Sequence, residues 1–371
     1  MPKKFHLAFD ISYTHLDGRW RMPGSWTGRT YPDVGIYEEL ARISERGCID
    51  MLFFGDGTGI PDTWAGRSDE AVRWGIGWPR HDMSPIITCM SRITKHVGFG
   101  LTYASTFMHP FYVARLFNSL DHVTNGRIAF NVIASSRNAD AANYGFDELM
   151  EHGTRYNRME EFIDVCRALW DSVEPDAFQW DRESGIVADP EKVRAINHAG
   201  KFFKVRGPLN CMPSPQRHPV LIQAGASPRG IRASAHIADH VFARWPSKEG
   251  KAAHRSQLDK ALTANGRDPE QVGVLRGGWA NCGRDQGRGR GEARAALDHD
   301  SSGGGRTVPV AQRGLRFFDT AGKILARGAQ REDRRQERLA GRLCVQAREY
   351  GWPKRRDFTQ GFLRIRTAYG N

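Results

Sequence analysis

The stretch VGFGLTYASTFMHPFYVARLFNSLDHVTNGRIAFNVIAS, residues 97–135, decides the fold. Residues 97–104 read as a strand. Pro110 then opens a helix over 110–122, with Val113, Ala114, Phe117 and Leu120 on one face. An Asn125-Gly126 turn leads into a second strand over 127–135. Strand, helix, strand in this order is a βαβ unit, and such units build parallel sheets.

The same alternation extends both ways. Upstream, 5–11 reads as a strand, 35–46 as a helix, and 49–54 as a strand apolar on both faces from Met51 onward. A helix over 84–95 starts with Ser84-Pro85 as N-cap and first-turn residue. Downstream, 156–172 is helical, with Met159, Phe162, Ile163, Cys166, Leu169 and Trp170 on one stripe. A polar insertion runs to about residue 219. Strands at 220–224, 240–243 and 272–279 then alternate with helices at 228–238 and 251–264. Neither GxGxxG nor GxxxxGK[ST] follows any strand, which disfavours a doubly wound nucleotide fold. The expected class is therefore α/β, a TIM-like (β/α)8 barrel with insertions. Seven strands are legible and an eighth is not, so the barrel reads as incomplete at its C-terminal strand.

Charge divides the chain. The formal net charge is +12, but residues 281–371 hold 18 Arg and 2 Lys against 10 acidic residues. Residues 1–280 thus form a near-neutral barrel body, and 281–371 a basic, Gly/Arg-rich C-terminal region. That region reads either as a genuine appendage or as the product of a reading-frame disturbance. Six cysteines are dispersed, without zinc spacing, and read as small core residues in a reducing cytoplasm. No metal site, signal peptide or run of 18 apolar residues is visible, so no membrane span is expected.

Barrel active sites lie at the C-terminal ends of the strands. There the sequence offers His15, Asp56, Thr102, Asn131, Ser135 and Ser227. These suit hydrogen-bonding a cofactor better than forming paired acids or a nucleophile triad. In Gln223-Ala224-Gly225-Ala226-Ser227-Pro228-Arg229-Gly230 a strand ends and a helix begins, capped by Ser227. The Ser227 hydroxyl and the amides of Arg229 and Gly230 suit a phosphate; a plain capped helix start fits the spacing equally. His152 and Tyr156 share a helix face, either around one ligand or toward solvent. Asp56 reads as a ligand contact or as a turn-former between glycines, and His15 as functional or packed.

These residues resemble the flavin-dependent two-component monooxygenases of the bacterial-luciferase superfamily, in the branch of nitrilotriacetate and dibenzothiophene-sulfone monooxygenases. The likeness rests on His15 with Gly18-Arg19-Trp20-Arg21, Phe53-Phe54-Gly55-Asp56 and Asn125-Gly126-Arg127. It also rests on Glu151-His152-Gly153 with Arg155-Tyr156, Phe203-Lys204-Val205-Arg206-Gly207-Pro208, and Gln223-Ala224-Gly225 with Ser227. The resemblance implies a barrel that takes FMN as FMNH2, delivered by a separate NAD(P)H:FMN reductase. One atom of O2 would pass to a small organic substrate through a flavin C4a-(hydro)peroxide. Asp56, Thr102, Asn131, His152, Tyr156 and Ser227 would contact the flavin, Tyr156 and Ser227 toward its phosphate. His15 would act on the substrate side, and the chain would be a cytoplasmic homo-oligomer. Phe107-Met108-His109-Pro110 departs from the family's aromatic-Asn-Glu-Pro, which leaves room for a different substrate. Two rival readings are a barrel relic without activity and nucleic-acid binding through the Arg/Gly-rich tail. Binding of reduced FMN tests the first, and steep salt dependence tests the second.

Overall fold

The computed structural model describes residues 6–11, 32–62, 66–243 and 247–276. Its chain order is β1 (Ala8–Asp10), α1 (Gly35–Arg46), β2 (Met51–Phe54), α2 (Asp69–Trp74), α3 (Met83–Arg92) and β3 (Gly98–Ala104). Then come α4 (Pro110–Thr124), β4 (Ile128–Ile133), α5 (Asn138–Ala142), α6 (His152–Asp171), β5 (His198–Ala199) and β6 (Lys204–Val205). β7 (Val220–Ala224), α7 (Pro228–Ile237), β8 (His240–Ala243), α8 (Lys248–Ala264) and β9 (Gly273–Arg276) complete it.

Among the described residues one seven-stranded sheet runs β1-β2-β3-β4-β7-β8-β9, every neighbouring pair parallel. All seven sequence-predicted strands are in it. Strand order follows chain order, so each crossover helix falls on the outer face, and the sheet curls about the other. The curl is visible in the side chains. Phe53 of β2 stacks on Phe242 of β8 at 5.3 Å between ring centroids, although three strands separate them in the sheet. Met51, Phe53, Ala129, Val220, Ile222 and Leu275 fill this interior. At Gly100 a Cβ would come within 3.1 Å of both Met51 Sδ and Phe53 Cδ2, so the layer closes only around a bare backbone. The larger apolar layer lies between sheet and helices and includes Leu52, Phe99, Phe117, Phe130 and Val241. The entire predicted stripe of α6, Met159 to Trp170, is buried there.

Some expectations are corrected. Helix α3 starts at Met83, and its cap is Asp82, not Ser84; the carboxylate accepts from the Ser84 amide at 2.8 Å. An ionised oxygen outcompetes a hydroxyl for that donor, and Pro85 still falls in the first turn, where no N–H is needed. Of the described cysteines only Cys166 is buried; Cys48, Cys89 and Cys211 are half-buried. His109, in the divergent stretch, caps α4 by accepting from the Phe111 amide at 3.3 Å. The insertion after α6 carries the β5–β6 hairpin, pinned by Glu161, which accepts from the amides of Phe202 and Phe203.

At the lower rim His240, 2% exposed, faces Gly273 across the β8–β9 pair. A Cβ at Gly273 would overlap the imidazole. Burial pushes His240 down to about 4 from 6.5, with Asp239 opposing and His6 adding to the shift. The unfolded chain therefore binds a proton that the fold refuses between these values. Stability from this site is full above pH 6.5 and drains as pH falls toward 4. Urea unfolding should show a loss of about 2 kcal/mol between pH 7 and pH 5 that His240→Asn lacks. Parallel losses in the two proteins would remove His240 as the cause.

Candidate functional site

Of the eight sequence candidates, His15 lies outside the described residues and Ser135 follows β4 with a φ of 52°; the other six stand at or near the C-terminal ends of the strands. They form three groups. Thr102 and Asn131 are register partners on β3 and β4, 1% and 4% exposed. Each is two residues beyond an interior position, Gly100 and Ala129, so strand alternation turns both into the barrel. Asn131 Nδ2 donates to Thr102 Oγ1 at 2.8 Å, while the buried Asn131 Oδ1 has no hydrogen-bond partner among the described residues. Leaving such an acceptor unpaired costs about 1–3 kcal/mol, and folded proteins keep few of them.

The second group joins α6 to α7. The His152 and Tyr156 rings lie 5.0 Å apart at the start of α6. Ser227 caps α7 and accepts from the Gly230 amide at 3.0 Å. That amide is thus engaged in the cap and is not a donor for a phosphate, which corrects one expectation from the sequence. Gly225 and Gly230 meet backbone to backbone: a Cβ on Gly225 would lie 2.6 Å from the Gly230 carbonyl oxygen. A Cβ on Gly230 would lie 3.1 Å from the Tyr156 hydroxyl and 3.2 Å from Ser227 Oγ. Two hydroxyls and a helix N-terminus therefore converge on a corner where Gly225 and Gly230 pack backbone to backbone, the Gly230 Cβ position lying 2.9 Å from Gly225 Cα.

Asp56 stands on the loop after β2. Its partners are the Gly57 amide at 2.8 Å and Arg80 at 3.7 Å, none of the other five. Burial raises its carboxyl above the usual range, Asp82 and Asp140 push the same way, and Gly57 and Arg80 oppose them. The loop is tied to the segment after β4, because Asp140 accepts from the Gly59 amide at 2.6 Å and Asn143 Nδ2 donates to the Thr58 carbonyl at 2.8 Å.

Sequence reasoning missed three supports. Arg229 makes a bidentate pair with Glu160 at 2.7 and 2.8 Å, donates to Asn157, and lies 5.3 Å from the Tyr156 ring centroid. It locks the two helix starts together. His254, buried on α8, places Nε2 3.2 Å from the Gly225 carbonyl oxygen. Asp140 is the third. Only Arg229 left a trace in the sequence, as a cation directly after the capped Pro228.

The luciferase-like monooxygenase family profile matches residues 21–348. The chain is 39% identical over 281 residues to the long-chain alkane monooxygenase of Geobacillus thermodenitrificans, covering 75% of this chain and 64% of that protein. It is 39% identical over 277 residues to nitrilotriacetate monooxygenase component A of Aminobacter aminovorans, covering 73% and 60%. The chain thus spans less than two thirds of the length of these relatives. The crystal structure of a long-chain alkane monooxygenase superposes with a TM-score of 0.76 at 35% identity, covering 80% of this chain and 69% of that one. With family profile, sequence identity and fold in agreement, the chain belongs to the luciferase-like monooxygenase family.

Proposed function

We propose that the chain is the oxygenase component of a two-component flavin-dependent monooxygenase acting on a small organic molecule. The observation that carries this is the corner between α6 and α7, where the Tyr156 and Ser227 hydroxyls converge on the α7 N-terminus beside the Gly225–Gly230 backbone contact. The residues fit FMN. Tyr156, Ser227 and the α7 N-terminus supply donors and positive dipole for a phosphate, and the unpaired Asn131 oxygen supplies an acceptor inside the barrel. Asp56, Thr102 and His152 complete the polar rim. FMN, when bound reduced, supplies the electrons with which one atom of O2 enters the substrate and the other leaves as water.

The chain's own residues bind, orient and exclude. The Arg229–Glu160 pair holds Tyr156 and Ser227 in register, so the phosphate end is fixed before the ring end is engaged. Thr102 and Asn131, both buried, would hold the ring end away from bulk water. Burial raises the Asp56 carboxyl, while the Gly57 amide and Arg80 oppose the shift, and the group stands as an acceptor on the loop after β2. A separate NAD(P)H:FMN reductase would deliver the reduced flavin, and the chain would work as a homo-oligomer.

Anaerobic fluorescence titration with FMNH2 tests the reading. Ser227→Ala and Tyr156→Phe should each weaken binding by about 5- to 30-fold, a loss of about 1–2 kcal/mol of hydrogen bonding. Riboflavin, which has no phosphate, should bind both variants as it binds the parent. Unchanged FMNH2 affinity in both variants would place the phosphate elsewhere.

A further inference from the structure

We infer that Arg137 reads a carboxylate on the substrate, so that the chain acts on organic acids; this names a substrate class for the monooxygenase reading above and rests on it. The sheet order β2-β3-β4 brings the loops after β2 and β4 together above the C-terminal end of β3. Side chains from the β4 side cross that gap. Asp140 accepts from the Gly59 amide, Asn143 Nδ2 donates to the Thr58 carbonyl, and the Tyr144 hydroxyl pairs with the Thr58 side chain. Arg137, half-buried, reaches the same loop. Its guanidinium lies against Gly57, where a Cβ would stand 2.8 Å from Nη2 and 3.3 Å from Cζ. A side chain at position 57 would displace it, so the bare backbone seats the cation.

Among the described residues the guanidinium has one long hydrogen bond, Nη1 to the Gly59 carbonyl at 3.5 Å, which leaves most of its donor fork unused. The carboxylates around it are already engaged. Asp56 holds the Gly57 amide and faces Arg80, Asp82 accepts from the Ser84 amide and the Tyr103 hydroxyl, and Asp140 accepts from Gly59. Farther along the same loops Phe107 stacks on Tyr144 at 4.9 Å, and Phe146 lies 5.8 Å from Phe107. A cation with an open fork beside an aromatic wall suits a carboxylate on an apolar body. The acid takes two parallel N–H bonds, and the rings cover the rest. The flavin phosphate is assigned to α6 and α7, beyond β4 from this roof, so the two anions do not compete. Arg137 is a specificity-determining residue, and Gly57 the position that makes room for it.

Calorimetric titration of the full chain, saturated with FMNH2 under anaerobic conditions, tests this with 4-(methylthio)benzoate and its uncharged isostere 4-(methylthio)benzamide. The acid should bind about 10-fold or more tighter than the amide. Arg137→Gln should bring the two within about threefold of each other and leave FMNH2 affinity as in the parent. Arg137→Lys, a point charge without the fork, should keep part of the preference. Gly57→Ala pushes the flexible guanidinium aside and should erode the preference as well. Equal binding of acid and amide by the parent, or a preference that survives Arg137→Gln, would overturn the inference. Loss of FMNH2 binding in a folded Arg137→Gln would assign the cation to the flavin and overturn it too. If Arg137→Gln does not fold, Gly57→Ala decides. Parent protein that does not take up FMNH2 fails before either probe is added, and that outcome overturns the FMN reading itself.

Discussion

Alanine at Gly225 should weaken reduced-FMN binding by about 100-fold or more, well beyond the effect of either hydroxyl. The added Cβ would sit 2.6 Å from the Gly230 carbonyl oxygen and 2.7 Å from its carbon. Both belong to the first turn of α7 and cannot swing aside as a flexible side chain would. Gly230 is held by the hydrogen bond its N–H donates to Ser227 Oγ, and the Gly225 carbonyl by His254 from the other side. Relief therefore requires β7 and α7 to separate, which carries Ser227 away from Tyr156. Overpacking of this kind costs about 1–3 kcal/mol, so the variant should still fold while its phosphate corner opens. Titration with FMNH2 and a urea melt on the same preparation separate the two effects. Affinity within about threefold of the parent would show that the corner does not hold the flavin.

Arg127→Ala should be the most damaging substitution for the fold, lowering unfolding free energy by about 3–5 kcal/mol. The side chain is 4% exposed and makes five hydrogen bonds at the lower rim. It donates to the carbonyls of Thr124 at 2.8 Å, Val97 at 2.6 Å, and Ser91 and Thr94 at 3.1 Å, and to Thr94 Oγ1 at 3.1 Å. The C-terminal ends of α3 and α4 and the start of β3 thus converge on one guanidinium. Carbonyls at a helix end need donors, and here they are buried away from water. Alanine removes every donor and leaves a void. Lysine, with three donors on one point, should recover only part of the loss. Denaturant melts of parent, Arg127→Ala and Arg127→Lys check the order; equal midpoints would show that solvent satisfies the carbonyls.

The strands were legible because a parallel strand covered by helices must be apolar on both faces, as Met51–Phe54 and Val220–Ile222 are. The helix stripes were legible for the same reason of burial. Short α2 and α5 were not, since five or six residues do not complete a hydrophobic period. The Arg127 network hides from pattern reading altogether, because its partners are backbone carbonyls that no side-chain code records. At the site, Ser227 announced itself through its capping position, whereas the Arg229–Glu160 pair spans 69 residues and exists only once α6 and α7 lie side by side. Asn131 was legible as a strand-end polar residue; its contact with Thr102 came only with the pairing of β3 and β4.

The pairing of Ala129 with Val220 has a consequence for how the protein assembles. The other parallel neighbours in the sheet are closed by much shorter crossovers, while this one must bring together residues 91 positions apart with the whole insertion looped out. Closing a longer loop costs more chain entropy, and non-local pairing slows folding. Thr102 and Asn131 lie on one side of that seam and Ser227 on the other. The site therefore comes into being only when the slowest contact is made, and a cofactor bridging it would lock the two halves of the barrel as a stitch locks a seam.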